Sequence, residues 1–198
     1  MKYLVPLIIF CFSTSITPGP NNLMIMLSGI NFGLKRSVPH YLGILFGFSA
    51  MIILVGIGLG EVFEQFPQLH PIIKYLGAIY MLYLAWQIIS SDPHLKEAKG
   101  SKKPLGFLKP ALLQWLNPKA WIMTVGVIAA YTIQDASMMH QIFVISMIYF
   151  LIGIPCVGLW LVSGVALSKF LRNPDHMRRF NWAMGALLAL SIVLMIFE

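Results

Sequence analysis

Two short stretches of this sequence place unusual chemistry inside long apolar segments: Thr17-Pro18-Gly19-Pro20-Asn21-Asn22 and Asn117-Pro118-Lys119. Proline within a helix removes a backbone donor and clashes with the carbonyl four residues earlier. Pro18, Pro20 and Pro118 are therefore expected to free the carbonyls of Thr14, Ile16 and Gln114. The same residues read as helix starts. Thr17 and Asn117 are good N-cap types, and each is followed by proline, whose missing donor costs nothing at the first helical position. Each stretch would then present free amides and the positive end of a helix dipole. Lys119 adds a full charge just inside the second start, where the dipole repels it and where burial in a span costs about 2.5–3.5 kcal/mol. Glu61, Glu64 and Asp135 stand at the ends of apolar segments, so no carboxylate is expected to neutralise it. Two broken helix ends and an unpaired ammonium make a site for an anion, most simply a carboxylate. The plainer alternative is a snorkelling lysine beside two functionless kinks; breaks at corresponding depths in two segments favour the site.

The elements that must position these residues are apolar and long. Six segments stand out, approximately Tyr3–Asn31, Pro39–Glu61, Pro71–Ser90, Leu105–Tyr131, Met138–Leu161 and Arg179–Ile196. Each is long enough, or nearly so, to cross a hydrocarbon core of about 30 Å. Backbone groups in lipid must be satisfied within the segment, so the segments are expected to be helices. The start of the chain, Met1-Lys2-Tyr3 followed by an apolar run and Ser13-Thr14-Ser15, has the shape of a cleaved signal peptide. Apolarity resumes from Leu23 to Ile30, however, and one interrupted span is the better reading.

Composition excludes much else. Of the 198 residues 58% are hydrophobic and 11% charged, against roughly 25% charged in soluble domains. The net charge of +7 sits at the ends of apolar runs, where the positive-inside rule explains it, and no nucleic-acid-binding motif accompanies it. Lys35 and Arg36 occupy the first loop, Lys96, Lys99, Lys102 and Lys103 the third, and Lys169, Arg172, Arg178 and Arg179 the fifth. The even loops are nearly free of cations, so the odd loops are expected in the cytoplasm and both termini outside. The polar stretch Ser91–Pro104 divides the chain into halves 1–90 and 105–198 of one transporter domain. Each half holds three spans, so related halves would form an inverted-topology repeat. The expected fold is thus an all-α integral membrane protein of six transmembrane helices in a 3+3 inverted repeat, with spans one and four broken at prolines. Gly43/Gly47 and Gly56/Gly60 mark span two for close packing, either at a homodimer seam or, the favoured reading, within one bundle.

At this point a family resemblance emerges. Thr17-Pro18-Gly19-Pro20-Asn21-Asn22 resembles the signature of the LysE/RhtB family of bacterial amino-acid exporters. The run from Gly29 through Gly33 to Lys35, Gly43 and Gly47, Tyr75–Trp86, and Leu116-Asn117-Pro118-Lys119-Ala120 fit the same pattern. The resemblance covers essentially the whole chain, with cysteine/O-acetylserine exporters the most similar branch. It implies secondary active efflux of small amino acids across the bacterial inner membrane, without a cofactor. Carried over by motif, the functional positions are Pro18, Gly19, Pro20, Asn21, Asn117, Pro118 and Lys119; Thr17 and Asn22 complete the expected substrate-binding set. Many family members carry Asp where this chain has Asn21. That departure argues for neutral substrates, such as cysteine/O-acetylserine-like or homoserine/threonine/leucine-like ones, over lysine and arginine.

Two rival readings fit the sequence less well. An integral-membrane thiol oxidoreductase needs cysteines flanking both breaks, whereas Cys11 and Cys156 form no CxxC and Cys156 lies in span five. A metal or ion exporter would want carboxylates or soft ligands near the breaks. The five histidines are expected near loops and are never paired at i, i+4, so no metal site is expected.

Overall fold

Leu4–Ile16 forms helix α1, and Pro20–Leu54 forms α2, which runs on as a π-helical turn over Val55–Leu59. Leu108–Leu113 (α3) passes through a 3-10 turn, Gln114–Leu116, to α4 at Pro118–Tyr131. Met138–Leu167 is α5, and Pro174–Phe197 is α6. This computed structural model describes residues 4–59, 65, 68, 72, 75, 79, 82, 83, 85, 86, 88–90, 104–132 and 137–197. Among them there is no strand. Most of the third expected span, Gly60 and nearly all of the stretch Ser91–Pro104 lie outside the described residues.

Helix α2 is two legs rather than one rod. Ser28 and Ser37 share a hydrogen bond of 2.8 Å between their hydroxyls, although nine residues of straight helix would separate them by about 13.5 Å. Gly33 makes the reversal, with φ 74° and ψ 178°, a left-handed backbone that residues with a Cβ seldom adopt. The contacts along α5 give the direction of each leg. On the first leg Ile25 clusters with Val157 and Leu161, and Gly29 packs on Leu161 and Val165. On the second, Tyr41 donates to the Ile154 carbonyl at 2.8 Å, Ser146 donates to the Ser49 carbonyl at 3.0 Å, and Gly56 meets Ile142. The first leg thus runs parallel to α5 and the second antiparallel to it. The second leg starts directly after Gly33, so Pro39 lies inside a helix rather than opening one. His40 is accordingly buried in that leg, at 2% exposure, and not beside a loop as its sequence position suggested.

Small residues let these helices approach. A Cβ at Gly164 would strike the Met26 backbone, one at Gly43 the Phe107 carbonyl, and one at Gly47 the Ala111 backbone. Gly43 and Gly47 therefore seat α3 within this chain, which leaves no seam there for a second copy. The helices keep large apolar side chains on their outer surface, including Val5, Ile9 and Phe12 on α1 and Phe143, Leu151 and Leu159 on α5. Such extensive apolar surface suits a lipid environment, and α5, a single helix of 30 residues, is long and apolar enough to cross a bilayer.

The two ends of the bundle differ in charge. One end is marked by the cluster of Ile30, Leu171 and Met177, and exposed Lys35, Arg36, Lys169, Arg178 and Arg179 lie in the segments around it. The opposite end is marked by Leu7, Ile52, Val127 and Ile142; the described residues around it include no Lys or Arg.

Candidate functional site

The first break lies between α1 and α2. Thr17, Pro18 and Gly19 are non-helical, and Gly19 is extended, with φ −177° and ψ 175°, as the N-cap of α2. Thr17 was the expected cap, and this is a correction with a simple cause. The ring of Pro20 disfavours helical backbone at the residue before it, so the helix can begin only at the second proline. With glycine as cap, no side chain covers the first amides of α2.

The carbonyls expected to be free are all taken by protein donors. Thr17 Oγ1 donates to Thr14 O at 2.9 Å, and the Trp160 indole donates to Ile16 O at 3.1 Å. The Asn22 amide donates to Ser15 O at 2.8 Å and to Thr17 O at 2.9 Å. It thereby stitches the end of α1 to the start of α2.

The second break follows the same logic with a different cap. The Gln114 carbonyl accepts from Asn117 N at 3.1 Å as the 3-10 turn closes. Asn117 is extended, with φ −96° and ψ 105°, and α4 starts at Pro118. The side-chain oxygen of Asn117 accepts from Lys119 N at 3.1 Å, the bond expected of an asparagine N-cap.

The two breaks are joined by reciprocal contacts. Lys119 Nζ donates to Thr17 Oγ1 at 2.7 Å, to Thr17 O at 3.0 Å and to Pro18 O at 3.2 Å. Its ammonium is therefore not unpaired, contrary to expectation. Its three protons meet three oxygens at the C-terminal end of α1, where the dipole is negative and offsets the repulsion from the start of α4. Gly19 makes this approach feasible, since a Cβ there would lie 2.9 Å from Lys119 Cδ. In the other direction, Asn21 Nδ2 donates to Gln114 Oε1 at 2.8 Å. Each residue that follows a helix-starting proline thus reaches back to the chain ahead of the other break.

A cavity of about 50 Å³ opens where these pieces meet. Six of the nine expected residues line it: Gly19, Pro20, Asn21, Asn22, Asn117 and Lys119. Thr17 and Pro18 instead hold the lysine, and Pro118 is buried at the start of α4. Among the described residues Lys119 is the one charged residue of the lining, and Ile44, Leu45, Phe48, Met123 and Val157 form its apolar side. Three residues escaped the sequence reading: Thr14 and Tyr149, joined at 3.1 Å and both lining the cavity, and the side chain of fully buried Gln114. A glutamine inside an apolar span was itself a signal, because polar residues there are costly and usually functional. Cys11 and Cys156 are free and buried, and neither lines the cavity.

A family model described as LysE type translocator matches residues 12–197. A cysteine/O-acetylserine efflux protein of Klebsiella pneumoniae subsp. pneumoniae is 29% identical over 187 residues, covering 93% of this chain and 92% of its own length. Proteins of the same description from Salmonella choleraesuis and Escherichia coli K12 are each 25% identical over 181 residues, 91% of this chain and 90% of theirs. No solved structure matches the chain.

Proposed function

We propose, from the premise that this chain belongs to the LysE type translocator family, that it exports small neutral amino acids across the bacterial inner membrane as a secondary active transporter. One observation carries the proposal: the starts of α2 and α4, with Lys119 between them, border a single small cavity that is polar on one side and apolar on the other. The uncapped amides of α2 and the Lys119 ammonium form the anion-binding side. A substrate carboxylate would take over donors that Lys119 now gives to Thr17 and Pro18, and a short side chain would rest toward Leu45, Phe48 and Met123. Relatives described as cysteine/O-acetylserine efflux proteins support substrates of that size.

The membrane arrangement belongs to the same proposal. Six spans form a 3+3 inverted repeat, spans one and four are broken at their prolines, and both termini lie outside. The reciprocal reach of Asn21 to Gln114 and of Lys119 to Thr17 supports the paired halves. The cationic end of the bundle around Leu171 and Met177 supports the orientation, because cytoplasmic loops collect Lys and Arg.

Competition transport in inside-out vesicles tests the function, using a panel of neutral, cationic and acidic amino acids with and without an uncoupler. Uptake that short neutral amino acids compete for, and that collapses with the uncoupler, is the expected result. Competition by cationic or acidic amino acids alone would overturn the substrate class, and uptake indifferent to the uncoupler would overturn secondary active transport.

A further inference from the structure

We propose that Gln114 is a positioning residue for specificity: it fixes the orientation of the Asn21 amide at the cavity and disfavours a carboxylate at position 21, where a negative charge would favour cationic over neutral substrates. The inference deepens the function proposed above and rests on it.

Gln114 is wholly buried, at 0% exposure, so each of its polar atoms must find a protein partner. In a continuous α-helix the Pro110 carbonyl would accept the Gln114 backbone N–H. The chain enters a 3-10 turn at Gln114, and the side chain covers that carbonyl instead, with Nε2 donating to Pro110 O at 2.9 Å. This bond decides which way the amide faces, since the oxygen and nitrogen of an amide are otherwise interchangeable in outline. With Nε2 committed to Pro110, Oε1 accepts from Asn21 Nδ2 at 2.8 Å. The second Nε2 proton goes to Asn21 Oδ1 at 3.3 Å.

An amide at position 21 complements this fixed partner, and a carboxylate does not. An aspartate would set an acceptor oxygen against Gln114 Oε1. Flipping the glutamine would turn Oε1 onto the Pro110 carbonyl and toward the other carboxylate oxygen, where Nε2 now donates. Either way acceptors are left facing, one of them on fully buried Gln114, which is unfavourable. Position 21 lines the cavity, so its charge is felt by whatever binds there. Gln114 does not line the cavity and acts through Asn21.

The experiment compares wild type, Asn21→Asp, Gln114→Met and the double variant, all purified as full chains, with two readouts. Thermal melting in detergent reports the coupling without any substrate. Asn21→Asp is expected to lower Tm clearly in the wild-type background and little in the Gln114→Met background. In inside-out vesicles, the potency of lysine relative to serine as a competitor is expected to rise at least about tenfold in the double variant, where a carboxylate at 21 is tolerated and faces the substrate. Equal Tm losses in both backgrounds would overturn the proposal, as would an unchanged preference in a folded double variant. If Asn21→Asp alone does not accumulate, recovery in the double variant is the supporting result, and failure of both beside a normal Gln114→Met is the refuting one. Gln114→Leu replaces the methionine arm should that variant not accumulate. Wild-type vesicles that transport no amino acid would overturn the exporter function, and the selectivity proposal with it. The melting experiment would then still decide whether Gln114 constrains position 21.

Discussion

The ammonium of Lys119 lies 2.7 Å from the hydroxyl of Thr17, a residue 102 positions earlier in the chain. The contact ties the start of α4 to the end of α1 and places a positive charge on carbonyls that the first proline break exposes. All three protons of Lys119 are engaged, so under the proposed function a substrate carboxylate would have to compete for them. A carboxylate that won them would loosen the tie between the two breaks.

Lys119→Met keeps the bulk of the side chain and removes its donors. Transport is expected to fall by about 10- to 100-fold, the equivalent of one or two charge-assisted hydrogen bonds. Membrane accumulation should stay near wild type, since methionine fills the space of the lysine stem and Thr17 O keeps its bond from Asn22. Vesicle uptake beside quantitative immunoblotting checks this, and near-normal uptake would move the site elsewhere. Lys119→Arg is expected to fail largely too, because a planar guanidinium does not replace a compact charge in a narrow space.

Gly19→Ala puts a methyl group 2.9 Å from Lys119 Cδ. The lysine must shift away from Thr17, and a loss of about 1–3 kcal/mol of stability is expected from overpacking, together with reduced transport. Gly106→Ala is the control, since a Cβ there meets nothing within 4 Å. Melting curves and uptake on the same preparations decide it; equal behaviour of the two variants would mean that the close approach at Gly19 is unimportant.

Asn22→Ala leaves the carbonyls of Ser15 and Thr17 without the amide that bridges them. Since Asn22 is buried, a destabilisation of about 1–3 kcal/mol is expected. Asn22→Asp should be worse, because it sets a carboxylate against two carbonyls. A Tm unchanged in either variant would contradict the stitching role.

Gly47→Val drives a branched side chain into the Ala111 backbone of α3. The expected outcome is loss of folded protein, seen as aggregation in size-exclusion chromatography. A well-folded variant of smaller oligomeric size would instead mark this glycine face as an interface between copies.

Reporter fusions test the orientation. A fusion at the C-terminus should behave as external and one within Ser91–Pro104 as cytoplasmic. Cytoplasmic activity at the C-terminus would contradict the six-span arrangement with both ends outside.

What the sequence determined by itself is what the backbone decides within a few residues. Pro20 and Pro118 lack an N–H and restrict the residue before them, and α2 and α4 begin at those prolines. The run of apolar residues set the all-helical character in the same local way, and Asn117 was recognisable as a cap because a cap bonds only two or three positions ahead. Where two local rules met, they could not be ranked from the chain alone, as when Thr17 was expected to cap a helix that Gly19 caps. Tertiary structure alone decided the partners. The choice of Thr17 and Pro18 for Lys119, of Gln114 for Asn21, and of Ala111 for Gly47 depends on how the legs of α2 pack against α3 and α5. Those contacts join residues tens to a hundred positions apart, and a hydrogen bond has a reach of about 3 Å, so only the packed fold selects which polar atoms meet.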